Sequence, residues 1–150
     1  MGAEETAFNI NTTFLGRFFL SGYLNRMNER QLAWVQEGVN AYKKHVQPVI
    51  GESKPFWPMG LPGWNDKVLA LGLDAGDRAL ATVWSRDSEG GDVRLHLDRW
   101  AGRAGEVSAV YPVDGYAQWP VHWDAASGEL VVTVPSDGGY VSRTFEVNFN

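Results

Sequence analysis

The sequence predicts a mainly β protein, α+β overall, whose C-terminal part is an antiparallel β-sandwich. Two observations favour this class. From residue 67 onward, short runs alternate between apolar and polar residues and are separated by clusters of glycine and aspartate, which is typical of antiparallel strands joined by turns. Before residue 49 the pattern is different, because one nearly continuous apolar run is followed by a long segment with helical spacing.

Length and composition limit the classes of function. The chain has 150 residues, of which 44% are hydrophobic, enough for one domain with its own core. Its 18 acidic and 13 basic residues give a formal net charge of -5, and the basic residues are scattered, so we expect no nucleic-acid partner. There is no run of about eighteen apolar residues, which predicts no membrane partner. Residues 1–6 lack the features of a signal peptide, which favours a cytoplasmic location.

The first part of the chain predicts one strand and one helix. The run TFLGRFFL is nearly continuously apolar, as in a strand that is covered on both faces, and predicts a strand at about residues 13–20. Asn28 can cap a helix and Gln31 can complete a capping box, which predicts a helix at about residues 28–46. The apolar stripe of this helix follows the expected spacing, at Leu32, Val35, Val39, Tyr42 and Val46.

The rest of the chain predicts a connector and six strands. Residues 49–66 are rich in proline, glycine and tryptophan, which excludes a helix or a regular central strand there. Residues 67–150 form the predicted antiparallel sandwich. Its six strand patterns lie at residues 68–73, 79–85, 93–97, 106–112, 129–135 and 140–149.

The residue pattern predicts neither a catalytic nor a metal-binding group. Acidic residues such as Asp74 and Asp87 lie in turn-like clusters, where solvated carboxylates are the usual interpretation. The three histidines have no ligand spacing, and the chain has no cysteine, so thiolate zinc sites and disulfides are excluded.

Tryptophans are the other candidate binding residues. Trp119 and Trp123 flank Pro120 and are the best candidates for stacking on a sugar ring, with packing in the core as the alternative. Trp84 ends a strand pattern and is expected in the core. Trp57 and Trp64 are expected to hold the connector between the first part of the chain and the sandwich.

Several stretches resemble the C-terminal part of family 36 glycoside hydrolases, the bacterial α-galactosidase (melibiase) group. They are GRFFLSGYLNRMNERQLAWVQEGVNAYKKHVQPVI, PFWPMGLPGWND, LALGLDAGDRALATVWSR and VSAVYP. In that family a (β/α)8 barrel is followed by a small antiparallel sandwich. The resemblance implies that residues 1–48 are the last βα unit of such a barrel, with residues 16–20 in its eighth strand and residues 28–46 in its eighth helix.

The resemblance also implies what the chain does and what it lacks. In the family both catalytic aspartates lie on earlier barrel strands, so this chain alone is expected to be inactive. The intact enzyme would release terminal α-galactose by a retaining mechanism without a metal or organic cofactor. Ser21, Gly22 and Asn25 would lie just past the end of a barrel strand, at the rim of the sugar pocket. The expected partners are the rest of the barrel, an oligosaccharide bound by the intact enzyme, and further copies in a homo-oligomer.

Two other classes of function stay open. The chain can be a stand-alone carbohydrate-binding sandwich, in which case tryptophans should form an exposed pair. It can also be a small complete domain for protein interaction, which should have no apolar face around the predicted helix at residues 28–46. As a complete domain, the first strand would join the sandwich and the helix would cover one sheet.

Overall fold

The computed structural model describes residues 1–22, 24–136 and 139–150. Within this part of the chain, two helices and eight strands form three layers. The strands make two antiparallel sheets, an inner sheet in the order β1-β2-β3-β8-β5 and an outer sheet in the order β4-β7-β6. The elements are α1 (Ala3–Phe14), α2 (Glu29–Ala41), β1 (Lys54–Phe56), β2 (Val68–Asp74), β3 (Arg78–Arg86), β4 (Gly91–His96), β5 (Gly105–Tyr111), β6 (Val121–Asp124), β7 (Glu129–Val134) and β8 (Tyr140–Phe149).

The sandwich core lies between the two sheets. Alternate residues of β3 and β8 point into it and meet buried residues of β7, since successive side chains of a strand face opposite sides. Trp100 closes one end, where its ring stacks on Phe149 with centroids 5.0 Å apart. Gly72 of β2 allows the ring of Phe56 to pack against the sheet, because a Cβ at this position would lie 2.4 Å from that ring.

A second core lies on the other face of the inner sheet. There α1 and α2 cover the sheet, and the buried apolar residues of α1 recur at helical spacing at Ala7, Ile10 and Phe14. The ring of Phe14 stacks on Tyr111 of β5 with centroids 5.5 Å apart. The inner sheet therefore has both faces covered, one by the outer sheet and one by the helices.

A line of polar side chains runs through the second core. Asn11 of α1 donates to the hydroxyl of Ser142 at 2.7 Å and accepts from that of Thr144 at 2.8 Å. Thr144 also contacts the hydroxyl of Thr82 at 2.6 Å. All four side chains are buried, so each needs the others as hydrogen-bond partners in place of water.

The helix predicted at residues 28–46 is confirmed. Asn28 caps α2 by accepting from the backbone N–H of Gln31, and the side chain of Gln31 returns a bond to the N–H of Asn28, which completes the predicted capping box. After α2 the backbone continues as a π-helix over Tyr42–Val46.

The strand predicted at residues 13–20 is wrong. Helix α1 ends at Phe14, and residues 17–20 have no regular secondary structure. A short apolar run does not by itself distinguish a strand from the end of a buried helix. Here Phe14 and Leu15 are buried by the helix layer, whereas Phe19 and Leu20 are exposed. The barrel strand that the resemblance implied for residues 16–20 is therefore not formed.

The predicted antiparallel sandwich is confirmed. Its six strand patterns correspond to β2, β3, β4, β5, β7 and β8. Two strands were missed. β1 lies inside the proline-rich connector and pairs only with β2 at the sheet edge, where proline is tolerated. β6 has only four residues, which is too few for a clear alternating pattern.

We expect Asn11→Ala to lower the free energy of unfolding by about 2–3 kcal/mol, because it removes the two buried hydrogen bonds that Asn11 makes with the hydroxyls of Ser142 and Thr144. Chemical denaturation measures the change. Asn9→Ala on the exposed side of the same helix is the matched control and should change stability by less than about 0.5 kcal/mol. Equal effects of the two substitutions would contradict a structural role of the polar line.

Candidate functional site

The structure does not form an exposed pair from Trp119 and Trp123. Trp119 lies in the segment before β6 and is only 5% exposed, with the guanidinium of Arg143 5.0 Å from its ring centroid. Trp123 on β6 is partly buried and packs edge-on against Phe149, while its indole N–H donates to the carbonyl of Arg103 at 2.9 Å. Both rings therefore pack in the protein interior, which was the alternative to stacking on a sugar.

Three further tryptophans differ in their exposure to solvent. Trp84 is buried, as predicted. Trp57 and Trp64 are not buried between the helix layer and the sandwich, since they are 47% and 94% exposed. The backbone of this loop does contact the sandwich, since His96 donates to the carbonyl of Pro58 and Arg86 donates to that of Trp64, but the two indole rings stay exposed.

Ser21, Gly22 and Asn25 are all exposed and lie between α1 and α2. Ser21 borders a shallow groove of about 300 Å³ whose other lining residues include Phe19 and Leu20. Contact between these three residues and a sugar stays a prediction.

A groove lies at the end of the sandwich where β8 begins. Its volume is about 880 Å³. We call it the end groove. Three separate parts of the chain line it, namely the first turns of α1, residues 117–120, and the adjoining ends of β7 and β8.

Arg143 and Glu4 form the floor of the end groove. Arg143 is 2% exposed, and its guanidinium contacts both carboxylate oxygens of Glu4 at 2.8 Å. Its remaining N–H groups donate to the carbonyls of Ala117 and Ser142. All five donors of the guanidinium are therefore used, which leaves none for a ligand.

Aromatic rings form one wall of the end groove. Phe8 and Tyr140 pack with ring centroids 5.5 Å apart, and Tyr140 is 54% exposed. Trp119 and Pro120 continue the apolar lining toward the floor. The exposed ring that this groove presents belongs to Tyr140, which the sequence did not single out.

Two tyrosines, Tyr111 and Tyr116, have hydroxyl groups with raised pKa values. Burial raises the pKa of Tyr116 to about 12, with smaller contributions from the carboxylates of Glu37 and Glu4. Tyr116 donates to the carbonyl of Ala3 at 3.1 Å. Burial also raises the pKa of Tyr111, whose hydroxyl has no hydrogen-bond partner.

A second charged cluster lies at the other end of the helix layer. Glu146 is 3% exposed, and its two carboxylate oxygens contact His45 and Arg78, each at 2.9 Å. Both oxygens of this carboxylate already have partners, so the cluster connects the π-helix to the inner sheet. No group of His, Cys, Asp and Glu that could hold a metal ion occurs among the described residues.

Comparison with known proteins does not identify a family. No protein-family model matches the chain. No curated protein matches it either. Within the part of the chain that the structure describes, no helix has the length and apolar character needed to cross a bilayer.

We expect Glu4→Ala to lower the free energy of unfolding by about 2–3 kcal/mol, because it leaves two N–H groups of buried Arg143 without acceptors. Glu5→Ala is the matched control, since Glu5 occupies the same helix turn but is exposed. Thermal unfolding compares the two variants, and an equal loss in both would show that only the helix-terminal charge matters.

We expect stability to fall as the pH rises above about 10, where tyrosine ionises in the unfolded chain. In the folded chain Tyr116 keeps its proton up to about pH 12, so its contribution is fully present below the unfolded pKa and is lost between the two values. Denaturation curves across this range should show a smaller decline for Tyr116→Phe. An unchanged decline would contradict the raised pKa.

Proposed function

We propose that the chain is the C-terminal accessory domain of a retaining glycoside hydrolase of the α-galactosidase type, with a structural role in that enzyme. The single observation that carries the proposal is an apolar surface on the helix layer. It supports the proposal together with the two-sheet sandwich and the resemblance of the sequence to family 36.

The apolar surface has a defined position. Phe19 is 68% exposed and Leu20 is 44% exposed, and both line the shallow groove beside α1. Met1, Leu24 and Met27 line the same groove. We call these five residues the helix-layer surface. A cluster of large apolar side chains in contact with water is characteristic of a surface that binds another protein domain.

The position of this surface fits an accessory role. It lies on the side of the molecule opposite the outer sheet, and Ser21 borders the same groove. A catalytic domain seated there would bury Phe19 and Leu20 and bring Ser21, Gly22 and Asn25 close to its own loops. The catalytic carboxylates would belong to that domain, because a retaining mechanism needs two of them about 5–5.5 Å apart around the sugar.

The protein-interaction class accounts for less. A domain of that kind is expected to have no apolar face around residues 28–46, whereas Leu32 of α2 is 41% exposed and Val35 of α2 lines the same groove as the helix-layer surface. A homo-oligomer would use the same surface, and it is an outcome of the experiment below.

The first experiment reads the coding sequence that precedes residue 1 and expresses it joined to this chain. We expect a barrel with two strand-end aspartates and hydrolysis of a chromogenic α-galactoside by the joined protein, whereas this chain alone should give none. Hydrolysis by this chain alone, or a preceding sequence without a barrel, would refute the proposal.

In the joined protein we expect Phe19→Asp to lower activity by about tenfold, since a charge placed in an apolar interface loses its hydration without gaining a partner. Ala126→Asp is the matched control and should have no effect, because Ala126 is exposed in the turn between β6 and β7. Light scattering of this chain alone completes the test. A stable dimer that Phe19→Asp disrupts would assign the helix-layer surface to self-association.

A further inference from the structure

We infer that the end groove binds a neutral carbohydrate, with Tyr140 as the stacking ring and Glu5, Asn9 and Gln118 as hydrogen-bond partners. The inference does not depend on the accessory role, because every lining residue belongs to this chain.

The groove has the dimensions and lining of a ligand site. Its volume of about 880 Å³ lies within the usual range for small-molecule pockets. Such pockets combine a largely apolar wall with a few polar groups that orient the ligand. Here Phe8, Trp119 and Tyr140 form the apolar wall, and the polar groups lie at the helix and at residues 117–120.

The charges of the groove exclude an anionic ligand. Arg143 is the only cation among the lining residues, and all five of its N–H donors are already used. Glu4 is neutralised by Arg143, whereas Glu5 is exposed and no hydrogen bond is found for its carboxylate among the described residues. A phosphate, sulfate or carboxylate would therefore meet repulsion from Glu5 and find no free cationic donor.

Glu5 and Gln118 offer acceptors to a ligand, and the amide of Asn9 offers donors as well as an acceptor. The amide nitrogen of Gln118 donates to the carbonyls of Val113 and Tyr116, which leaves its side-chain oxygen as an acceptor. The carboxylate of Glu5 accepts only. A matching ligand must then supply several donors, and sugar hydroxyl groups do so without adding charge.

The exposed ring of Tyr140 is a further feature that suits a sugar ligand. Pyranose rings have a face of C–H groups, which carry partial positive charge and pack against the negative face of an aromatic ring. Tyr140 is 54% exposed, and its packing against Phe8 holds the ring in place before any ligand arrives. A ring that is already fixed loses little entropy on binding.

The experiment titrates this chain with three neutral oligosaccharides, raffinose, maltotriose and cellotriose, and follows backbone amide shifts by NMR. We expect at least one sugar to shift resonances of residues 117–120 and 139–143 in a saturable manner. Tyr140→Ala should weaken binding by about tenfold, whereas Tyr140→Phe, which keeps the ring, should retain most of it. Glu5→Ala should also weaken binding.

The matched control is Trp57→Ala, which removes a ring that is 47% exposed and lines a separate pocket beside His96 and Asp98. It should leave binding unchanged. Unfolding curves of each variant confirm that the fold is intact. The inference fails if none of the three sugars gives saturable shifts, if Trp57→Ala abolishes binding while Tyr140→Ala does not, or if only a cationic probe such as spermidine binds. None of these results bears on the joined protein's activity, so the two proposals fail separately.

Discussion

The structure depends on the burial of both faces of the inner sheet. Its strands send one set of side chains to the outer sheet and the other set to the helices, so β8 contributes to two cores at once. A strand with polar residues on one face is normally exposed to water on that face. In β8 that face carries Ser142, Thr144 and Glu146, all of which are buried. Helix α1 and the π-helix supply their partners, Asn11 and His45, in place of water.

This constraint explains which parts of the fold the sequence predicts. Strands such as β3 and β7 have a regular two-residue alternation, and α2 has both a capping box and an apolar stripe. These are local signals, and local signals are read reliably from a single chain. Helix α1 was missed because the apolar run that begins at Thr13 was interpreted as a strand. Its own signals, the acidic first turn and the spacing of Ala7, Ile10 and Phe14, were present but lie mostly before that run.

The end groove could not be predicted in the same way, because its lining comes from parts of the chain that are distant in sequence. Glu4 and Arg143 are 139 residues apart and meet only when α1 packs against β8. Tryptophan count was a poor guide to binding surfaces, because a large ring serves as well in a core as on a surface. Trp119 lies in the core and Trp64 in solvent, although both are flanked by proline or glycine.

The ion pair between Arg143 and Glu4 connects the fold to the end groove. Arg143 donates hydrogen bonds to Glu4 of α1 and to the carbonyl of Ala117 in the segment before β6. Its guanidinium also packs against the ring of Trp119. The groove walls are therefore assembled only when α1 is docked on the inner sheet. A ligand that contacts both Tyr140 and the first turn of α1 binds the docked form and not the undocked one, so binding must stabilise the docked helix by mass action. A domain packed on the helix-layer surface would hold the same helix from its other side, and the two binding events would then favour each other through α1.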